Sequence, residues 1–169
     1  MNERIRRALE TTDRGEFMPR ESAPYEDRPQ SIGFNTTISA PHMHAMTLTM
    51  LEERLTEGMK VLDIGSGSGY LTLLMAKMIG HGKVYGVDHI TELVNESITN
   101  IGKTHEVLLH EGPLEIHMIT RDGRLGLEEF GPFDVIHIGA ATPEIPQPLL
   151  DQLANGGRLM VPLGPHNGF

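Results

Sequence analysis

Val61-Leu62-Asp63-Ile64-Gly65-Ser66-Gly67-Ser68-Gly69-Tyr70 is the stretch around which the chain is organised. An apolar run carrying one acid breaks into three glycines at alternate positions. A longer periodic segment (Leu71, Leu74, Met75, Met78, Ile79) follows and is closed by Gly80. The pattern predicts a buried strand, a tight turn and a helix, the first half of a βαβ unit. Glycines at such a turn let a ligand approach the backbone and permit positive φ. The helix start adds unpaired N–H groups.

The spacing narrows the ligand. A dinucleotide fingerprint needs G-x-G-x-x-G with pyrophosphate at the helix N-terminus. Here Tyr70 stands where the third glycine of that fingerprint belongs, and Asp63 would repel a pyrophosphate. Asp63 suits a cationic ligand instead. Beyond the helix, Lys83–Val87 reads as a second strand ending at Asp88, 19 residues after Gly69. A carboxylate at that strand tip is placed to take both hydroxyls of an unphosphorylated ribose. A cation joined to a ribose points to S-adenosylmethionine. The bland alternative is a β–turn–α corner that binds nothing.

Length and composition fit one domain, residues 1–169: 38% hydrophobic content supports a real core. The formal net charge of −9 opposes general affinity for nucleic acid or membrane surfaces. The absence of cysteine excludes disulfides and thiolate metal sites. The first residues lack the apolar segment of a signal peptide, and no apolar run approaches the ~20 residues of a membrane span. A soluble, cytosolic protein is expected, without nucleic-acid or membrane partners.

Working outward, residues 1–10 read as a helix with Ile5 and Leu9 on one face, and 11–29 as irregular, punctuated by Gly15, Pro19, Pro24 and Pro29. Thr36–Pro41 is expected to open a second helix, with Ser39 as N-cap and Pro41 in its first turn. Its core stripe would be Met43, Met46, Leu48, Met50, Leu51 and Leu55, ending near Gly58. After Asp88, Ile90–Ile101 traces a helix ended by Gly102, and residues 103–113 a polar loop. Strands are expected at Ile116–Ile119, Phe133–Gly139 and Arg158–Leu163, with a helix at Gln147–Leu153 closed by Asn155-Gly156-Gly157. Alternating strands and helices predict an α/β fold, a mostly parallel sheet with helices on both faces. Asp63, Asp88 and Asp122 would then share the carboxyl rim, where ligands of such sheets bind.

Residues 25–44, Tyr-Glu-Asp-Arg-Pro-Gln-Ser-Ile-Gly-Phe-Asn-Thr-Thr-Ile-Ser-Ala-Pro-His-Met-His, resemble the N-terminal signature of the protein-L-isoaspartate (D-aspartate) O-methyltransferase family. The likeness continues through Leu62–Gly69, Gly86–Ile90, Asp122–Arg124 and Asp151–Arg158, roughly residues 10–166 in all. The glycine loop alone says only Rossmann-like class I methyltransferase. Thr37-Ile38-Ser39-Ala40-Pro41-His42-Met43 is what selects the family. The resemblance implies methyl transfer from S-adenosylmethionine to the free α-carboxylate of isoaspartyl and D-aspartyl residues in damaged proteins and peptides. The ester then closes to a succinimide, which partly reopens to normal aspartate. A carboxylate displacing a good leaving group needs no strong base, so catalysis would be mostly positioning and desolvation.

By position, the resemblance makes Ser39 the active-site serine. It places Thr36, Thr37, Ile38 and His44 along the cofactor, Asp63 and Gly65 at its methionine portion, Asp88 at the ribose, and Asp122 with Gly123 at the adenine, and it counts His89 among the cofactor-binding residues. Arg121 stands where the family usually has glycine. His42 and His44, two residues apart on a helix, diverge, so no metal site is expected. The family's domain continues past the fifth strand and begins with a fuller helix, so the sequence reads as an incomplete domain. On that reading Gly164–Phe169 cannot supply the missing strands, and a monomer with low solubility, weak cofactor binding and little activity is expected. The rival readings are a small-molecule methyltransferase of the same fold and a truncated, non-catalytic isoform.

Overall fold

The computed structural model describes residues 2–164; the tail 165–169 of the last expectation lies outside them. Asn2 caps α1 (Glu3–Glu10) by accepting from Arg4 N at 2.8 Å, and the helix buries Ile5 and Ala8. A 3₁₀ turn at Arg14–Phe17 follows. Asp13 caps it, accepting from Gly15 N at 2.9 Å, and Arg14 and Phe17 turn inward.

The second helix starts later than the sequence predicts. Gln30–Gly33 (β1) and Thr36–Ile38 (β2) form an antiparallel hairpin closed by Phe34 and Asn35, both at positive φ. Three consecutive β-branched residues favour the strand. Pro41 then holds Ala40 out of the helical region, at ψ 149°, so α2 runs only from Pro41 to Leu51. Its cap position is Ala40, with no side-chain cap; Ser39 caps nothing. The expected methionine stripe is also displaced. The buried face is His44, Thr47, Leu48 and Leu51, while Met46 and Met50 are 49% and 54% exposed.

The central βαβ unit lies where the sequence placed it. β3 (Lys60–Ile64) leads through the glycine loop into α3 (Tyr70–Ile79), and Gly80 ends that helix in the left-handed conformation. α3 is buried nearly all round because α1, α4 and the sheet enclose it. β4 (Gly82–Asp88) and α4 (Thr91–His105) follow. Gly102 does not end α4, since a single interior glycine costs only about 1 kcal/mol. A further 3₁₀ turn, Glu106–Leu109, occupies part of the expected loop.

The remaining elements are β5 (Leu114–Thr120), β6 (Phe133–Ile138), α5 (Gln147–Asp151) and β7 (Leu153–Met160). The five-stranded sheet is parallel, in the order β5-β4-β3-β6-β7. Asn155-Gly156-Gly157 does not close α5 but lies inside β7. There Phe133 pairs with Leu153 and Val135 with Arg158, a bulge that Gly156 accommodates at φ +75°. β7 therefore starts five residues early and stops before Val161.

The two faces of the sheet are covered unequally. One carries the larger core, where Val61, Val84, Ile116 and Val135 meet α1–α4 and Phe17. The other is a smaller cluster of Leu62, Tyr85, Ile136 and Phe133 under α5, Leu127 and Phe130. No helix among the described residues is long and apolar enough to cross a membrane.

Gly82 opens β4 at φ +121°, and a Cβ there would collide with the carbonyl oxygen of Met59. Backbone strain and a backbone clash act together, so Gly82→Ala is expected to destabilise the fold by roughly 2–4 kcal/mol. Urea denaturation measures this, and a loss below about 1 kcal/mol would show that the corner adjusts freely.

Candidate functional site

The sheet reverses its strand order between β3 and β6, and a crevice opens at the carboxyl ends of these strands. Gly139 N donates to Ile64 O at 2.7 Å, and a Cβ on Gly139 would lie 3.0 Å from Gly65 O. The two chains thus meet backbone to backbone at the switch point. Two cavities share Gly65 as a wall. The larger, about 460 Å³, is bordered by Gly65, His89, Asp122, Gly123, Ile138 and Leu149. The smaller, about 60 Å³, lies between the glycine loop and the hairpin-to-α2 segment; Thr37, Ile38, Ser39, His44 and His137 border it.

The glycine loop spends four of its N–H groups internally. Gly65 N and Ser66 N donate to Val87 O at 2.8 and 3.1 Å, Gly67 N to Asp88 Oδ2 at 3.1 Å, and Gly69 N to Ser66 O at 2.9 Å. Such a corner offers little to a phosphate. Asp88 is 7% exposed and also accepts from Ile90 N at 3.1 Å, so each carboxylate oxygen is aimed by one backbone donor and keeps lone pairs for a ligand. His89 Nδ1 lies 3.5 Å from Asp88 Oδ1. Ser66 Oγ, in the wall of the small cavity, is fully enclosed and has no hydrogen-bond partner. An unpaired buried hydroxyl costs about 1–3 kcal/mol, so a polar ligand group there would relieve a real penalty. Together these features fit an adenosyl ligand.

Asp63 departs from its expected role. Its carboxylate is 1% exposed, and both oxygens are engaged: Thr72 Oγ1 donates to Oδ2 at 2.6 Å, and His137 Nδ1 donates to Oδ1 at 2.8 Å. Asp63 still borders the small cavity, side by side with His137. The sequence reading passed over His137; its only signal was one polar residue inside the apolar run of β6. Parallel register puts it directly beside Asp63.

Asp122 sits at the larger cavity as the cap of the 3₁₀ turn Gly123–Leu125, with Arg124 N at 3.0 Å. The Arg124 guanidinium, with Nη2 at 2.6 Å, holds that carboxyl down at about pH 2. Arg121 pairs with Glu129 and does not border the cavity.

Two predicted residues border neither cavity: the Thr36 hydroxyl donates to Gly33 O at 2.8 Å inside the hairpin, and Asp88 lies between Val87 and His89, which border the larger one. The two histidines of the H-x-H pair diverge. His42 Nδ1 meets Asp27 Oδ1 at 2.8 Å, while His44 turns inward, its Nδ1 3.1 Å from the Arg14 guanidinium and its ring 5.1 Å from Tyr70. Burial, with Arg14 beside it, pushes the His44 imidazole down to about 3, so it is neutral at physiological pH.

The family model for protein-L-isoaspartate(D-aspartate) O-methyltransferase matches residues 1–168. Protein-L-isoaspartate O-methyltransferase 2 of Arabidopsis thaliana is 54% identical over 165 residues, which are 96% of this chain and 53% of that protein. The chain thus spans about half the length of that relative. The Caenorhabditis elegans protein-L-isoaspartate O-methyltransferase is 51% identical over 92% of this chain and 68% of its own. Among solved structures, a Plasmodium falciparum protein-L-isoaspartate O-methyltransferase in complex with S-adenosyl-L-homocysteine superposes with a TM-score of 0.87 at 36% identity, covering 98% of this chain and 78% of that one.

Proposed function

The chain belongs to the protein-L-isoaspartate(D-aspartate) O-methyltransferase family, and from that premise we propose that it methylates the free α-carboxylate of isoaspartyl and D-aspartyl residues, with S-adenosylmethionine as donor. One observation carries the reading. The segment that separates this family from other methyltransferases comes to the cofactor loop: Thr37, Ile38, Ser39 and His44 border the same small cavity as Gly65–Ser68. A small-molecule enzyme of the same fold has no need of that meeting. The reading treats residues 1–169 as one domain of a cytosolic monomer acting on damaged proteins and peptides. The net charge of −9 supports the absence of nucleic-acid partners.

The donor, when bound, supplies a sulfonium methyl group whose leaving group is a neutral thioether. The protein's part is placement. Asp88 accepts the ribose hydroxyls, with His89 beside it. Asp122 and Gly123 border the space for the adenine, and Gly65, with the Asp63–His137 pair, borders that for the methionine portion. Ser39 lies where the hairpin ends and α2 begins, and its hydroxyl orients the incoming carboxylate. His44 lines the same wall as a neutral ring, so it adds no positive charge against the sulfonium. An incoming carboxylate sheds water in this narrow space, which raises its reactivity.

Transfer of labelled methyl to paired peptides, one isoaspartyl and one normal aspartyl, tests the reading. Labelling of the isoaspartyl peptide alone is expected; equal labelling, or none, would refute it. Ser39→Ala sharpens the test. Because Ser39 caps no helix, the substitution should change stability by no more than about 0.5 kcal/mol, the ordinary range for a site outside such features. The methylation rate should fall further than the affinity for S-adenosylmethionine. A stability loss of about 1 kcal/mol with the rate per folded molecule unchanged would return Ser39 to a capping role.

A further inference from the structure

Arg14 is a buried arginine, 4% exposed, that makes no ion pair with a carboxylate among the described residues. Nη2 donates to Ser39 O at 2.7 Å and Nη1 lies 3.1 Å from His44 Nδ1, while Nε is enclosed without a partner. The guanidinium carbon stands 5.7 Å over the Tyr70 ring, whose hydroxyphenyl face is the nearest compensation for the charge. Burying a cation this way is costly when a neutral amide could tie down the same carbonyl.

The chemistry of the donor explains the choice. A guanidinium has only donors. Opposite it, His44 Nδ1 must be the acceptor, so the ring proton is forced onto Nε2. A glutamine or serine could accept as well as donate and would leave both tautomers open. Nε2 makes no hydrogen bond within the described residues and is not among the fully enclosed polar atoms, so it is free to serve the cavity that His44 lines. Arg14 itself does not line that cavity. It stands behind it, reaching both Ser39 and His44 from the 3₁₀ turn that Asp13 caps.

We propose that Arg14 is a positioning residue: it locks His44 in the Nε2–H tautomer and anchors the main chain at Ser39, so that a hydroxyl and an N–H donor face the reacting carboxylate together. This rests on the methyl-transfer reading above. The groups that face His44 are Arg14, Tyr70, Asp63 and His137. Of these, Arg14 is the group that contacts its Nδ1.

Arg14→Met, which keeps the bulk and removes the donors, and Arg14→Lys, which keeps a donor-only cation, form the test. Nitrogen-labelled histidine spectra report the His44 tautomer, and methyl transfer to isoaspartyl peptide reports kcat and KM. In Arg14→Met we expect a mixture containing the Nδ1–H form and a kcat lowered on the order of 10–100-fold. Affinity for S-adenosylmethionine should change by less than about threefold. Arg14→Lys should restore the Nε2–H form and part of the rate. If Arg14→Met does not fold, Arg14→Gln replaces it, since the amide can accept from Nδ1–H. Unchanged tautomer, or kcat within about twofold of the parent in a folded variant, would overturn the proposal. The tautomer needs no turnover to be read. A parent chain that fails to methylate isoaspartyl peptide would therefore sink the functional reading while the spectra still judged Arg14.

Discussion

Asp63→Ala is expected to remove about 2–5 kcal/mol of folding stability, because two buried donors lose their acceptor at about 1–3 kcal/mol each. The carboxylate is 1% exposed and accepts from both Thr72 Oγ1 and His137 Nδ1. Its loss leaves a fully buried hydroxyl and a nearly buried imidazole N–H without partners. Domains of this kind have only about 5–15 kcal/mol in total, so the variant should stand near its unfolding threshold. Urea denaturation at neutral pH measures the change. Thr72→Val added to Asp63→Ala should recover part of the loss, because it removes one of the orphaned donors. A loss below about 1 kcal/mol, or no recovery in the double variant, would show that water enters the corner and satisfies these groups.

Asp88→Ala is expected to weaken S-adenosylmethionine by about 1.5–3 kcal/mol, roughly 10–150-fold, as for hydrogen bonds to a charged group. Two effects act in the same direction. The ribose acceptor is removed, and the loop loses the carboxylate that holds Gly67 N and Ile90 N, so the glycine corner is less well organised before binding. Asp88→Asn separates them: its single carbonyl oxygen can keep one of the two contacts, so it should fall between the parent and the alanine variant. Titration calorimetry with S-adenosylmethionine gives the numbers. Unchanged affinity in Asp88→Ala would remove Asp88 from the site, and NADH binding as tight as S-adenosylmethionine would overturn the ligand class itself.

Both residues were legible as acids at the ends of apolar runs, yet they do different work. Asp88 ends its strand, where the backbone turns away and leaves the carboxylate to the loop. Asp63 lies inside its strand, one residue before the end, and faces a neighbour across the sheet. Sequence spacing cannot tell these apart because both read as strand-terminal acids before a turn. The register of β3 against β6 decides, by putting His137 beside Asp63.

Local chemistry was enough for the central unit. Alternate glycines after an apolar run, the periodic helix closed by Gly80 and the acid at the next strand tip each depend on neighbours a few residues away. Backbone conformational preference and burial pattern therefore determined the β3–α3–β4 unit and pointed to the ligand class, whereas the family was legible through the resemblance of Thr37–Met43 to its signature. Where two local signals competed, local reading failed. Thr36–Ile38 could be a strand or the approach to a helix, and pairing with β1 made it a strand, moving the start of α2 to Pro41 and releasing Ser39 from any capping role. Asn155-Gly156-Gly157 could end a helix or bulge a strand, and pairing with β6 made it a bulge. Arg14 carried no signal in a stretch read as irregular, because its partners, Ser39 O and His44, are 25 and 30 residues away. Which polar groups meet across elements is a property of packing, since a buried donor takes whatever acceptor the neighbouring element presents, and only the tertiary structure says which element that is.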